Sequence, residues 1–82
     1  MSGAGGVFQV LVDAIARKTG ADPASLGPRA RLVDLGLDSI KVMELVVELE
    51  QAFDLAVDQE ELAELATLGD VADHVERRLA SR

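Results

Sequence analysis

The strongest constraint on the fold lies between Asp38 and Phe53, where Ile40, Val42, Met43, Leu45, Val46, Val47, Leu49 and Phe53 recur at helical spacing. Asp38 directly precedes the run and reads as its N-cap, a carboxylate placed to accept unpaired N–H groups of the first turn. Leu37, before the cap, can pack on Val42 as a hydrophobic staple. The pattern predicts a helix over Ser39 to Phe53 with Ser39 as its first residue. Projected around a helix, Val42, Leu45, Val46, Leu49 and Phe53 share one face, and Ile40, Met43 and Val47 lie well to one side of it. One face suffices for a core. The second is either covered by the preceding loop and the following helix, or exposed beside Ser39 as a docking surface.

The rest of the chain supplies shorter helices. Residues 1–6, rich in Gly, have nothing to bury and read as a disordered tail or linker remnant, leaving residues 7–80 as the folded domain. Phe8, Leu11, Val12 and Ile15 give a first helix over Val7 to Thr19, with Arg17 and Lys18 in its last turn and Gly20 ending it; Val10 falls off the stripe. The loop from Gly20 to Asp38 is long, with a brief turn at Asp22-Pro23 and with Leu26, Leu32 and Leu35 as anchors. Asp58 caps a short acidic helix over Gln59 to Leu65, with Glu61 as the reciprocal capping residue. Thr67 caps a final helix, with Asp70 completing an acidic capping box and Leu68, Val71, Ala72, Val75 and Leu79 facing the core. The fold class is therefore all-α: a four-helix bundle with a long loop between helices one and two and a short, oblique helix three.

Eighty-two residues make one small domain with one core, and with two Phe and no Trp or Tyr that core must be aliphatic. No cysteine is present, so any thiol chemistry must come from a cofactor. A net charge of −7 opposes binding to nucleic acid or to an anionic membrane and points to basic protein partners. No apolar run approaches the length of a membrane span, and the expected location is the cytoplasm. From Val42 through Glu76 there is no Lys or Arg. Glu44 and Glu48 share one side of the second helix, so Ser39 is bordered by an acidic and apolar patch suited to steering a basic groove.

Hydrolysis at Ser39 is unsupported. The only histidine, His74, lies at the edge of the last helix's stripe, and the Gly-x-Ser-x-Gly elbow is missing. A serine at a loop-helix junction, near the positive end of the helix dipole, is instead well placed to bear a phosphodiester.

Gly36-Leu37-Asp38-Ser39-Ile40 resembles the Asp-Ser-Leu or Asp-Ser-Ile signature of acyl carrier proteins and of the carrier domains of polyketide and nonribosomal peptide synthases. The resemblance extends from about Val7 to Leu79 in helix order, loop lengths and acidic bias. It implies a bundle of acyl-carrier type, acting as a monomer, with 4'-phosphopantetheine joined to Ser39 and acyl groups held as thioesters on its thiol. It also implies a phosphopantetheinyl transferase that installs the arm from coenzyme A. The later partners would be an acyltransferase, a ketosynthase or other synthase enzymes with basic docking surfaces, meeting Ile40, Met43, Glu44, Val47 and Glu48. Asp38 is expected as the motif's helix cap. Ile40 in place of the commoner Leu, and Lys41 where fatty-acid carriers often have an acid, turn the match toward polyketide-type carriers. Fatty-acid, aryl and peptidyl carriers are the neighbouring readings. An unmodified acidic helical docking module is the reading from another class.

Overall fold

In a computed structural model, which describes residues 3–81, the chain is all-helical in four helices: α1 (Gly3–Thr19), α2 (Ser39–Phe53), α3 (Gln59–Ala63) and α4 (Leu68–Ala80). Helix α2 spans the range its periodicity predicts. Helix α1 begins at Gly3, ahead of the start expected at Val7; Met1 and Ser2 lie outside the described residues. The physical reason is the i to i−4 ladder. Val7 is buried, and the N–H groups of the turn it starts find their acceptors one turn earlier, in a stretch where Gly3, Gly5 and Gly6 have poor helix propensity and no side chain to show a pattern.

The core is aliphatic. Helix α1 contributes Val7, Leu11, Val12, Ala14 and Ile15, α2 contributes Leu45, Val46 and Leu49, and α4 contributes Leu68, Val71, Ala72 and Val75. Leu62 of α3 completes it together with Leu26 and Val57 from the connections, and no polar or charged residue is buried among the described residues. Val10, which falls off the stripe of α1, is half-buried.

Local signals set the helix ends. Gly20, at φ 77°, closes α1 by donating its N–H to the Ala16 carbonyl at 2.8 Å, in the left-handed conformation that Gly adopts without steric cost. Thr67 and Asp70 form a complete capping box on α4. The expected reciprocal cap on α3 does not form. Asp58 accepts from the Glu60 N–H at 2.8 Å, while the Glu61 carboxylate turns to α4, 3.4 Å from His74 Nε2 and 3.8 Å from Arg78 Nη1. Helix α3 also stops at Ala63 instead of Leu65. Its last turn tightens to i to i+3 bonds, which frees the Ala66 carbonyl to accept from Leu32 N–H at 2.9 Å.

That bond belongs to a seam that ties the long loop down. Leu68 N–H donates to the Ala30 carbonyl at 3.0 Å, Gly69 N–H donates to the Pro28 carbonyl at 2.8 Å, and Arg31 and Thr67 form an isolated bridge. The predicted turn at Asp22-Pro23 is a 3-10 turn over Pro23–Ser25, and Leu26, Leu32 and Leu35 are the anchors. A second 3-10 turn, Leu32–Asp34, follows the bridge. It has no strong sequence signature.

Candidate functional site

Gly36, at φ 75°, turns the loop toward α2, and Asp38 in extended backbone caps the helix by accepting from Lys41 N–H at 2.8 Å. This hydrogen bond, first among several causes, holds the Asp38 carboxyl below its ordinary value, and the Lys41 charge adds to the effect. Lys41 Nζ lies 3.8 Å from Asp38 Oδ2. Ser39 follows as the first helical residue. It is exposed, and among the described residues no hydrogen bond engages its hydroxyl. A hydroxyl so placed is accessible to an enzyme and is not held against any internal base.

The sequence left Ile40, Met43 and Val47 either covered or exposed, and the structure leaves them exposed. They are 67%, 52% and 48% exposed, while Leu45, Val46 and Leu49 on the other side of α2 are buried. Val42 and Phe53, also assigned to the core face, are partly buried against it.

Glu44 and Glu48 lie beside the exposed stripe as expected, yet they are not a free acidic border. Arg17 and Lys18, from the last turn of α1, reach across to them. Glu48 pairs with Arg17 Nη2 and with Lys18 Nζ, the latter at 2.5 Å, and Glu44 Oε1 lies 3.8 Å from the same Lys18 nitrogen. The hydrogen bond from Lys18, reinforced by the charges of Lys18 and Arg17, pulls the Glu48 carboxyl below its ordinary value.

An apolar cleft of about 190 Å³ opens on the other side of the motif. Its walls are Leu32, Val33 and Leu37 from the loop, Val42 and Leu45 from α2, Leu62 and Ala63 from α3 and Val71 from α4. Leu37 and Val42, the expected staple, thus border one opening next to Ser39. Sequence reading missed Val33, which is 80% exposed on the second 3-10 turn. The leucine-rich stretch around it, larger than loop anchoring needs, is the one signal that pointed there. Ser25 and Ser81, the other described serines, make only local hydrogen bonds to carbonyls. No cluster of His, Asp or Glu among the described residues is arranged to hold a metal ion.

Comparison with known proteins finds relatives over most of the chain. The profile of the family described as "Phosphopantetheine attachment site" matches residues 9–75. An acyl carrier protein of an Exiguobacterium species is 41% identical over 75 residues, covering 87% of this chain and 95% of the relative. Another acyl carrier protein, from Amoebophilus asiaticus, is 36% identical over 77 residues, covering 93% of this chain and 96% of the relative. A non-reducing polyketide synthase, tazA, from Aspergillus terreus is 34% identical over 82 residues, which cover 94% of this chain and 3% of the synthase.

Proposed function

The chain belongs to the phosphopantetheine-attachment family of acyl carrier proteins, which are carriers and not catalysts, and from that premise we propose that Ser39 bears the arm and that the cargo is a polyketide-type intermediate. The cofactor of the family is a covalently attached 4'-phosphopantetheine, and when bound it supplies a thiol that activates acyl groups as thioesters. Everything else falls to the protein.

The observation that carries the assignment is the Ser39 hydroxyl itself, exposed and unengaged at the first position of α2. Its surroundings fit a phosphodiester. The start of α2 offers the positive end of the helix dipole, Lys41 adds a cation within the first turn, and Asp38 holds that turn in place. The apolar cleft beside the motif exceeds the ~150 Å³ cavity that accommodates benzene in an engineered protein core, so a short aliphatic stretch has room against Leu37, Val42 and Leu62.

Residues 7–80 form the carrier domain in this reading. It acts as a cytoplasmic monomer and is met first by a phosphopantetheinyl transferase and then by synthase enzymes. No helix among the described residues is long and apolar enough to cross a membrane. Ile40 and Lys41 in the motif support the polyketide assignment over fatty-acid carriage, as does the similarity to a carrier-sized stretch of a polyketide synthase.

Intact mass before and after incubation with coenzyme A and a broad-specificity phosphopantetheinyl transferase tests the attachment. One added phosphopantetheine is expected on the wild type and none on Ser39→Ala. Addition to the alanine variant would sink the assignment, and no addition to a folded wild type would shift the reading to an unmodified docking module. For the cargo, malonyl-loaded protein is offered to a polyketide ketosynthase and to a fatty-acid ketosynthase. Elongation by the second alone would move the chain to fatty-acid carriage.

A further inference from the structure

The acids of α2 do not face a partner alone. Arg17 and Lys18 of α1 meet Glu44 and Glu48 of α2, two cations against two carboxylates, so the cluster carries no net charge at neutral pH. Its members are not equivalent. Lys18 and Glu48 form the inner pair, with Lys18 only 13% exposed, whereas Arg17 is 63% and Glu44 58% exposed at their side chains. Lys18, Met43, Glu44, Val47 and Glu48 line one shallow groove, and Met43 and Val47 are its apolar part.

A partner that offered only basic groups would gain little here. Beyond about 10 Å at moderate salt the four charges cancel and are screened, and at contact each carboxylate would have to leave a partner it already has. Arg17 is the outward cation. A guanidinium has five N–H donors, and the contact with Glu48 runs through one nitrogen.

Resting on the reading that a separate enzyme loads Ser39, we propose that this enzyme recognises the end of α1 together with α2. Its docking surface offers an apolar seat for Met43 and Val47 and an acidic side chain opposite Arg17. The face is therefore read as an apolar strip edged by both signs of charge, and Arg17 is a specificity-determining residue.

The test is the sign of one substitution. Using the broad-specificity phosphopantetheinyl transferase as probe, kcat/KM for loading is measured on the wild type, Arg17→Gln and Arg17→Glu, with circular dichroism on each. A fall of about tenfold for Arg17→Glu and a smaller fall for Arg17→Gln are expected, mainly in KM. Unchanged or faster loading of the variants would overturn the proposal, because a basic partner prefers a face with a cation removed. If Arg17→Glu does not fold, Arg17→Gln decides by the same sign. Wild-type protein that is never loaded would instead refute the Ser39 reading, which is a separate outcome. Concentration-dependent dimerisation abolished by Met43→Glu would assign the groove to a second copy and also overturn the proposal.

Discussion

Two faces of α2 are built from the same kinds of residue and have opposite fates. Leu45, Val46 and Leu49 are covered by the rest of the bundle, whereas Ile40, Met43 and Val47, no less apolar, stay in solvent. Hydrophobicity therefore does not decide burial here. Cover does: helices α1, α3 and α4 supply side chains to the core, while Met43 and Val47 of the stripe share an open groove with Lys18 of α1. A surface that costs solubility yet is kept dry by none of the described residues is suited to a partner.

The largest test of this contrast is Leu49→Ala. Removing a fully buried leucine from an aliphatic core should cost about 2–5 kcal/mol, enough to threaten a domain of this size, as read from urea denaturation. A cost below about 0.5 kcal/mol, the usual range for surface changes, would erase the distinction between the faces.

Next comes Gly69→Ala, which strikes the seam holding the loop to α4. A Cβ there would sit 3.0 Å from the Pro28 carbonyl oxygen that accepts the Gly69 N–H. The gain in helix propensity, about 1 kcal/mol, is outweighed by overpacking of about 1–3 kcal/mol, so Tm should fall. A rise in Tm would mean that the seam yields without cost.

Smaller still is the ion cluster. The lowered pKa of Glu48 means that its stabilisation is complete above the carboxyl's unfolded pKa, about 4.3, and is lost as pH falls through the folded one. Glu48→Gln should therefore cost under about 1 kcal/mol near pH 7, with the gap to wild type closing in acid. A gap that did not narrow as the pH falls would mark Glu48 as a packing residue.

The smallest effect on stability belongs to Met43→Glu and Val47→Glu. Each should leave Tm within the scatter of surface substitutions, about 0.5 kcal/mol, while impairing acyl transfer to partner enzymes. Loss of fold in either would return the stripe to the core.

What was legible in the sequence was what is local. Asp22, Asp38, Asp58 and Thr67 each announce a helix or turn start within three residues, and each cap forms where its residue type predicts. The motif around Ser39 was legible for the same reason, and the structure adds the exposure of its hydroxyl. Three features were illegible because they join distant segments. Arg17 and Glu48 are 31 positions apart, so α2 read alone could not show that cations of α1 pair with its acids. Glu61 exchanged a local role as a cap for contact with His74 and Arg78, which only the approach of α4 makes possible. Val33, beside the cleft, is exposed through a turn set by the pairing of Arg31 with Thr67.

That pairing also gives the cleft two unlike walls, one stitched to α4 and one short. Leu32 and Val33 continue directly from backbone stitched to the start of α4, whereas the opposite wall is α3, five residues long with Leu62 as its buried contact. In amide hydrogen exchange the Leu32, Leu68 and Gly69 protons should open only with the whole domain, and those of α3 by a cheaper local opening. The cleft then works as a jamb with a short door. In the proposed carrier reading, the play of that door would set the longest chain the cleft admits.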